Sequence, residues 1–209
     1  MRRPIFKKYV VAGTDTGLGK TVFAAALTGA LDGVYWKPVQ AGLKNETDSE
    51  VVARLSGRPV LPEAYRFALP ASPHKAAAAE SRSIDPAKLI LPESDAPLIV
   101  EGAGGLLVPL AEDTLFIDVF ARWNAPLILC ARTGLGTINH SLLSVEAIRA
   151  RGIFLLGIAF IGEANRDSQR IIAKFSGAKI LGRLGPVAPL DSENLARAFA
   201  DGFDVKDFT

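Results

Sequence analysis

Residues 9–21 read Tyr-Val-Val-Ala-Gly-Thr-Asp-Thr-Gly-Leu-Gly-Lys-Thr, and they constrain the chain more than any other stretch. Tyr9 to Ala12 is a short apolar, β-branched run of the kind that forms a buried strand. A turn punctuated by glycines follows, then Lys20-Thr21, then Val-Phe-Ala-Ala-Ala-Leu-Thr-Gly-Ala-Leu, a run of good helix formers. Strand, glycine loop, Gly-Lys-Thr and helix together make a phosphate-binding loop. Phosphate oxygens are best held by converging backbone N–H groups, and side chains at Gly17 and Gly19 would block that approach. The helix beginning near Gly19 adds its positive dipole end. Lys20 can reach the terminal phosphates, and the Thr21 hydroxyl can ligate Mg²⁺. Gly13 stands one residue too early for the strict spacing, so Thr14 fills the formal first position.

Further apolar runs alternate with helical stretches. Strands are predicted at Val34–Trp36, Leu98–Val100, Leu127–Cys130, Ile153–Ile161 and Lys179–Leu181. Helices are predicted at Asp48–Leu55, from Ser72-Pro73-His74 onward, and at Asn139–Arg151, Asp167–Phe175 and Glu193–Ala200. Residues 56–71 carry no clear pattern. Strands apolar on both faces and separated by helices imply an α/β fold, a parallel sheet covered on both sides. No repeat or linker divides the chain, so residues 1–209 read as one domain. In such sheets ligands bind beyond the carboxyl ends of the strands.

That is where the polar groups fall. Lys37 follows the second strand, either as a solvated lysine or as a second cation beside bound phosphate. Asp48 is a helix-start carboxylate or a Mg²⁺ ligand. Glu101 follows the third strand, where a carboxylate can hold Mg²⁺, and the glycines Gly102, Gly104 and Gly105 allow close backbone approach. After the fourth strand, Gly136-Thr137-Ile138-Asn139-His140 opens a helix. Its free N–H groups can receive an anion, with Asn139 as an ordinary N-cap the other reading. His74 and His140 have no partner in sequence that suggests a metal site.

Composition excludes several classes. The 24 Lys and Arg nearly balance 22 Asp and Glu, leaving no electrostatic footprint for nucleic acid. Arg2-Arg3 and Lys7-Lys8 read as a solvated terminus. No apolar stretch approaches membrane-spanning length, and none resembles a signal-peptide core, so a cytoplasmic protein is expected. Cys130 is the single cysteine and sits in a core run, where a buried inert thiol is expected.

Taken together, Gly13 to Thr21, Lys37-Pro38-Val39, Ser72-Pro73-His74, Val100-Glu101-Gly102-Ala103-Gly104-Gly105 and Gly136-Thr137-Ile138-Asn139-His140 resemble the dethiobiotin synthetases of biotin biosynthesis, in family order over about the first two-thirds of the chain. The resemblance implies a P-loop NTPase-like fold and an ATP-driven conversion of 7,8-diaminopelargonate and CO₂ to dethiobiotin, ADP and phosphate. By match to the family, Thr16, Gly17, Leu18, Gly19, Lys20 and Thr21 cradle the phosphates. Gly102, Ala103 and Gly104 lie along the nucleotide. Thr21, Asp48 and Glu101 hold Mg²⁺, and Lys37 contacts the carbamate and the γ-phosphate, with Lys20 as the second catalytic cation. Gly136, Thr137 and Asn139 receive the substrate carboxylate, from the other subunit of a homodimer. Ala41 stands where the family usually carries Ser or Thr. Ile161 stands where well-matched relatives carry an adenine-reading Asn, which leaves ATP, CTP and GTP all open as the nucleotide. Gly185-Pro186-Val187 matches the base-side segment only loosely.

Three other readings compete. A chromosome-partitioning type of ATPase would carry a signature lysine where Asp15 stands. A corrinoid amidoligase would need a further glutamine-hydrolysing domain. A non-catalytic nucleotide module would leave Lys37, Asp48 and Glu101 without a purpose.

Overall fold

The computed structural model describes residues 6–208, so Arg2 and Arg3 lie outside the described residues. Seven parallel strands form the main sheet in the order β4-β2-β6-β1-β7-β8-β9. They are β1 (Lys8–Gly13), β2 (Val34–Trp36), β4 (Val60–Leu61), β6 (Leu98–Gly105), β7 (Leu127–Arg132), β8 (Leu155–Ile161) and β9 (Ile180–Leu184). Two short strands, β3 (Val39–Ala41) and β5 (Tyr65–Phe67), pair separately in a small parallel sheet. The expected parallel α/β architecture is present.

Both faces of the sheet are covered, which is why its strands read as unbroken apolar runs. On one face Tyr9, Val11, Tyr35, Ile99, Ile128, Cys130 and Ala159 pack with residues of α1 (Lys20–Ala30), α2 (Asp48–Ser56) and α7 (Ser192–Gly202). On the other, Val10, Ala12, Leu127, Leu129, Ala131 and Phe160 pack with α3 (Pro73–Ala79), α4 (Phe116–Trp123), α5 (Thr137–Ala150) and α6 (Arg166–Ser176). Alternate residues of β1 thus serve opposite cores, as the two-residue period of a strand requires. Cys130 is fully buried, and burial pushes its thiol far above the ordinary range.

The chain leaves β1 toward β2 and β4, returns through β6, and then builds outward through β7, β8 and β9. The direction of winding reverses at β1, so the crevice beyond its carboxyl end is the place for a ligand. The glycine loop occupies that crevice.

Several elements depart from the sequence reading. The third predicted strand does not stop at Val100: β6 runs on to Gly105 and carries the whole Glu-Gly-Ala-Gly-Gly segment. Its register against β1 slips there, with Val11 facing Glu101 but Gly13 facing Gly105, so Gly102 to Gly104 bow out of the ladder. Asn139 is not a helix cap. Helix α5 starts at Thr137 with Gly136 as its N-cap, at φ 89°, and Asn139 lies exposed in the first turn. Ser72 precedes α3 with Pro73 at the first position, as expected, but its hydroxyl makes no capping bond. Helix α4 and the strands β3, β4 and β5 are additional to the predicted set.

Candidate active site

The glycine loop is held open by its backbone and by its neighbours. Gly17 (φ 69°) and Gly19 (φ 100°) both sit in the left-handed region. A Cβ on Gly19 would also lie 2.9 Å from Ile161 Cγ2, so side chains are excluded there by conformation and by packing together. The early Gly13 has a separate reason. Lys20 lies back across β1, and a Cβ on Gly13 would stand 2.8 Å from its Cδ. The Lys20 ammonium donates to the Asp15 carbonyl at 2.8 Å. Asp15 in turn accepts from the Thr16 N–H at 2.7 Å and pairs with Arg132 at the end of β7, which ties the loop to the next strand. Lys20 is buried, and burial moves its ammonium below the ordinary lysine value, against the pull of Glu101.

On the β2–β6 side of the loop lies a compact charge cluster. Lys37 immediately follows β2, where register places Trp36 beside Val100, so the lysine emerges next to Glu101. Lys37 is 4% exposed and Glu101 is 1% exposed. The Lys37 ammonium meets Glu101 Oε1 at 2.9 Å, Asp48 Oδ2 at 2.6 Å and the Gly102 carbonyl at 3.0 Å. The reading of Lys37 as a solvated lysine is therefore excluded. Burial opposes its charge, but Glu101 and Asp48 outweigh that and hold it above the ordinary lysine value. Burial likewise opposes the Asp48 carboxylate, and Lys37 overrides it to bring Asp48 below its ordinary value. The Thr21 hydroxyl donates to Glu101 Oε1 at 3.0 Å, and the Tyr35 hydroxyl to Glu101 Oε2 at 2.9 Å.

Asp48 owes its place to the start of α2. Thr47 caps that helix through a reciprocal capping box with Glu50, and Asp48 is the first helical residue. Its N–H faces Gln40 Oε1 at 3.3 Å, while Gln40 Nε2 donates to the carbonyls of Ala41 and Gly42. Gln40 thereby ties the segment after Lys37-Pro38-Val39 to the helix that carries Asp48.

A cavity of about 820 Å³ opens over this cluster. Thr16, Gly17, Gly19, Lys20, Thr21, Lys37, Ala41, Asp48, Glu101, Ala103 and Gly104 all line it, together with Gln40, Ser72 and Pro73. Leu18 turns its side chain into the core instead. Gly102 lies one layer deeper, where a Cβ would meet Phe120 at 2.6 Å. Gly136, Thr137 and Asn139 do not reach this cavity. Thr137 is buried with its hydroxyl on the Arg132 carbonyl, while His140, Leu143 and Ser144 of α5 line a separate cavity of about 310 Å³ behind Thr14, Asp15 and Thr16. Gly185, Pro186 and Val187 also stand off the large cavity, which that end of the chain reaches only through Leu190.

The donor set suits one kind of metal. Among the described residues no three His, Cys, Asp or Glu side chains group closely enough to cage an ion. Two carboxylates and a hydroxyl beside a phosphate cradle suit a hard divalent cation that draws its remaining ligands from phosphate and water. Mg²⁺ is of that kind, and the two carboxylates of Asp48 and Glu101 carry more negative charge than the Lys37 ammonium between them neutralises.

A glycine cradle, a lysine folded over its strand and a paired acid at the neighbouring strand define a P-loop nucleotide-binding protein, and residues 7–194 match the AAA domain family. The fold is similar to that of a ParA family ATPase from Chlorobium tepidum, at TM-score 0.59 and 12% identity over 92% of this chain and 89% of that one. It is also similar to the MinC:MinD cell division complex of Aquifex aeolicus, at TM-score 0.53 and 11% identity over 92% and 86%. At such identities the likeness concerns the fold alone.

Sequence relatives are far nearer. The ATP-dependent dethiobiotin synthetase BioD of Rhodopseudomonas palustris strain BisA53 is 63% identical, over 96% of each chain. The proteins of the same name from Nitrobacter hamburgensis and Agrobacterium fabrum are 61% and 56% identical over the same shares. The chain belongs to the ATP-dependent dethiobiotin synthetase family.

Proposed function

We propose that this chain is a dethiobiotin synthetase that joins 7,8-diaminopelargonate and CO₂ at the expense of ATP. The observation that carries the reading is Lys37, buried between Asp48 and Glu101 at the wall of the phosphate-loop cavity. A binding module has no need to bury a cation there. A transfer between two anions does, because a carbamate and a triphosphate repel each other until cations stand between them.

In this reading one substrate amine adds to CO₂ and releases a proton, giving a carbamate. A carbamate oxygen attacks the γ-phosphorus, the bond to ADP breaks, and a carbamic–phosphoric anhydride forms. The second amine attacks the carbonyl carbon, and phosphate leaves as the cyclic urea closes. The loop from Thr16 to Thr21 binds and orients the triphosphate, with Lys20 on its terminal oxygens. Lys37 holds the carbamate against the γ-phosphate. Ala41, with no hydroxyl, contributes backbone contacts beside it. Gly102, Ala103 and Gly104 bring β6 close to the nucleotide. Thr21, Asp48 and Glu101 would hold Mg²⁺, which would supply charge neutralisation to the triphosphate. Positioning and neutralisation supply most of the acceleration, as in other phosphoryl transfers.

The triphosphate has a direction in this site. Its γ end belongs beside Lys37 and Glu101, so the nucleoside lies toward β8 and β9, near Ile161 and Gly185-Pro186-Val187. Ile161 offers neither donor nor acceptor to a base. The substrate carboxylate is assigned to Gly136, Thr137 and Asn139 of a second copy in a homodimer of cytoplasmic, one-domain subunits. That none of the three lines the large cavity of its own chain supports that assignment.

The test is incubation with diaminopelargonate, bicarbonate, Mg²⁺ and each of ATP, CTP and GTP, with the cyclic urea followed by mass spectrometry. Urea formation coupled to nucleotide hydrolysis is expected. Turnover indifferent to the diamine, with no urea, overturns the reading. Sedimentation at micromolar concentration tests the dimer.

A further inference from the structure

We propose that Tyr35 is a positioning residue of the active site, one that sets the metal affinity by holding the inner oxygen of Glu101. The proposal rests on the reading of Glu101 as a metal-side carboxylate.

The two Glu101 oxygens have different surroundings. Oε1 turns toward the cavity, where Thr21 and Lys37 both donate to it. Oε2 turns inward, and its partner is the Tyr35 hydroxyl at 2.9 Å. Tyr35 is 0% exposed, and among the described residues that bond is the one its hydroxyl makes. The topology explains the meeting. Tyr35 of β2 is in register with Ile99 of β6, and both side chains belong to the core beneath α1 and α2. Glu101, two residues beyond Ile99, lies on the same face. A tyrosine ring is the right length to span from one strand to that carboxylate while filling core volume.

The physical consequence concerns direction. A carboxylate gripped at one oxygen by an internal donor presents its other oxygen at a fixed angle. Thr21 and Lys37 cannot do this, because both contact the cavity-side oxygen and Lys37 is shared with Asp48. Tyr35 belongs wholly to the protein interior and does not line the cavity. Partners of this kind, which orient a ligand without touching the metal, change metal affinity by about 10–100-fold when removed.

Tyr35→Phe deletes the hydroxyl and keeps the ring. Mn²⁺ serves as the probe, titrated by electron paramagnetic resonance into the full chain saturated with a non-hydrolysable ATP analogue. Tyr35→Phe is expected to weaken Mn²⁺ binding by about tenfold or more, while analogue binding without metal stays within about twofold, a separation that a general structural defect would not produce. Glu101→Gln is expected to weaken Mn²⁺ binding as well, and Tyr35→Phe placed on top of it to add little, since the tyrosine acts through that carboxylate. Wild-type Mn²⁺ affinity in Tyr35→Phe overturns the proposal, and so does a full additional loss in the double variant. Unchanged Mn²⁺ affinity in Glu101→Gln overturns the metal-side reading of Glu101 and this proposal with it. Should Tyr35→Phe fail to fold by circular dichroism, Tyr35→Met keeps an apolar filling without a donor and carries the same expectation.

Discussion

The two sides of the glycine loop are built differently. Toward β2 and β6 the wall is charged, buried and satisfied within one chain, with Lys37, Asp48, Glu101, Thr21 and Tyr35 bonded to one another. Toward β8, β9 and α5 it is apolar at Ile161 and open to solvent at Gly136, Asn139 and Pro186. In the proposed reading the first side is preorganised for the reacting phosphate, where misplaced charge is most costly. The second side then lies toward the nucleoside, where contacts set affinity more than rate. In that reading chemistry and recognition fall to separate walls, one charged and internally bonded, the other apolar and exposed.

Breaking the charged wall should have the largest effect. Lys37→Ala is expected to lower the rate of urea formation by about 10²–10³-fold, the range for losing one preorganised electrostatic donor, with a far smaller change in nucleotide binding by calorimetry. Equal loss of both, in a folded variant, would remove the distinction between the walls.

A second expectation is a matter of pH and stability. Lys37 has its folded-state value raised, so its contribution is complete below the ordinary lysine value, about 10.4, and is lost as pH rises through the folded value. Asp48 has its value lowered, so its contribution is present above the ordinary Asp value, about 3.9, and is lost as pH falls through the folded value. Urea unfolding should show a stability gap between wild type and Lys37→Met that holds across neutral pH and shrinks at both extremes. A gap unchanged at both ends would mean that these charges do not enter the folding balance.

The smallest effect belongs to the apolar wall. Ile161→Asn supplies a donor and an acceptor where a base would lie, and is expected to favour ATP over CTP and GTP by a few fold, about 1 kcal/mol for one net hydrogen bond. Competition binding among the three nucleotides checks it. An unchanged ranking would place the base elsewhere.

How much of this could be read in the residues follows from the range of the interactions. The phosphate loop was legible because its strand, turn and helix are consecutive, and the parallel sheet because buried strands need unbroken apolar runs. Lys37 was only half legible: its position after a strand could be read, its burial could not, since its acids lie 11 and 64 residues away in sequence. Tyr35 left no signal at all, because Val-Tyr-Trp is ordinary core material until β6 lies beside it. The continuation of β6 was masked by its glycines, which read as a turn but serve close approaches to Phe120 and Thr16. Strands β3, β4 and β5 are two or three residues long and exist only through distant pairing. Helix α4 is different. Phe116, Ile117, Val119 and Phe120 are buried at helical spacing, with Asp118 in the first turn, so its pattern is legible in the residues themselves.

The separation in sequence between Tyr35, Lys37 and Glu101 has a consequence for how the protein comes into being. A nascent chain halted at residue 95 would already carry the glycine loop and two ammonium groups, yet none of the counter-charge that β6 delivers. In the proposed reading, the charge set that holds a nucleotide with its cation is therefore complete once β6 joins the middle of the sheet. Ligand that binds the closed sheet should accordingly stabilise the whole of it against global unfolding, by mass action on the folded state.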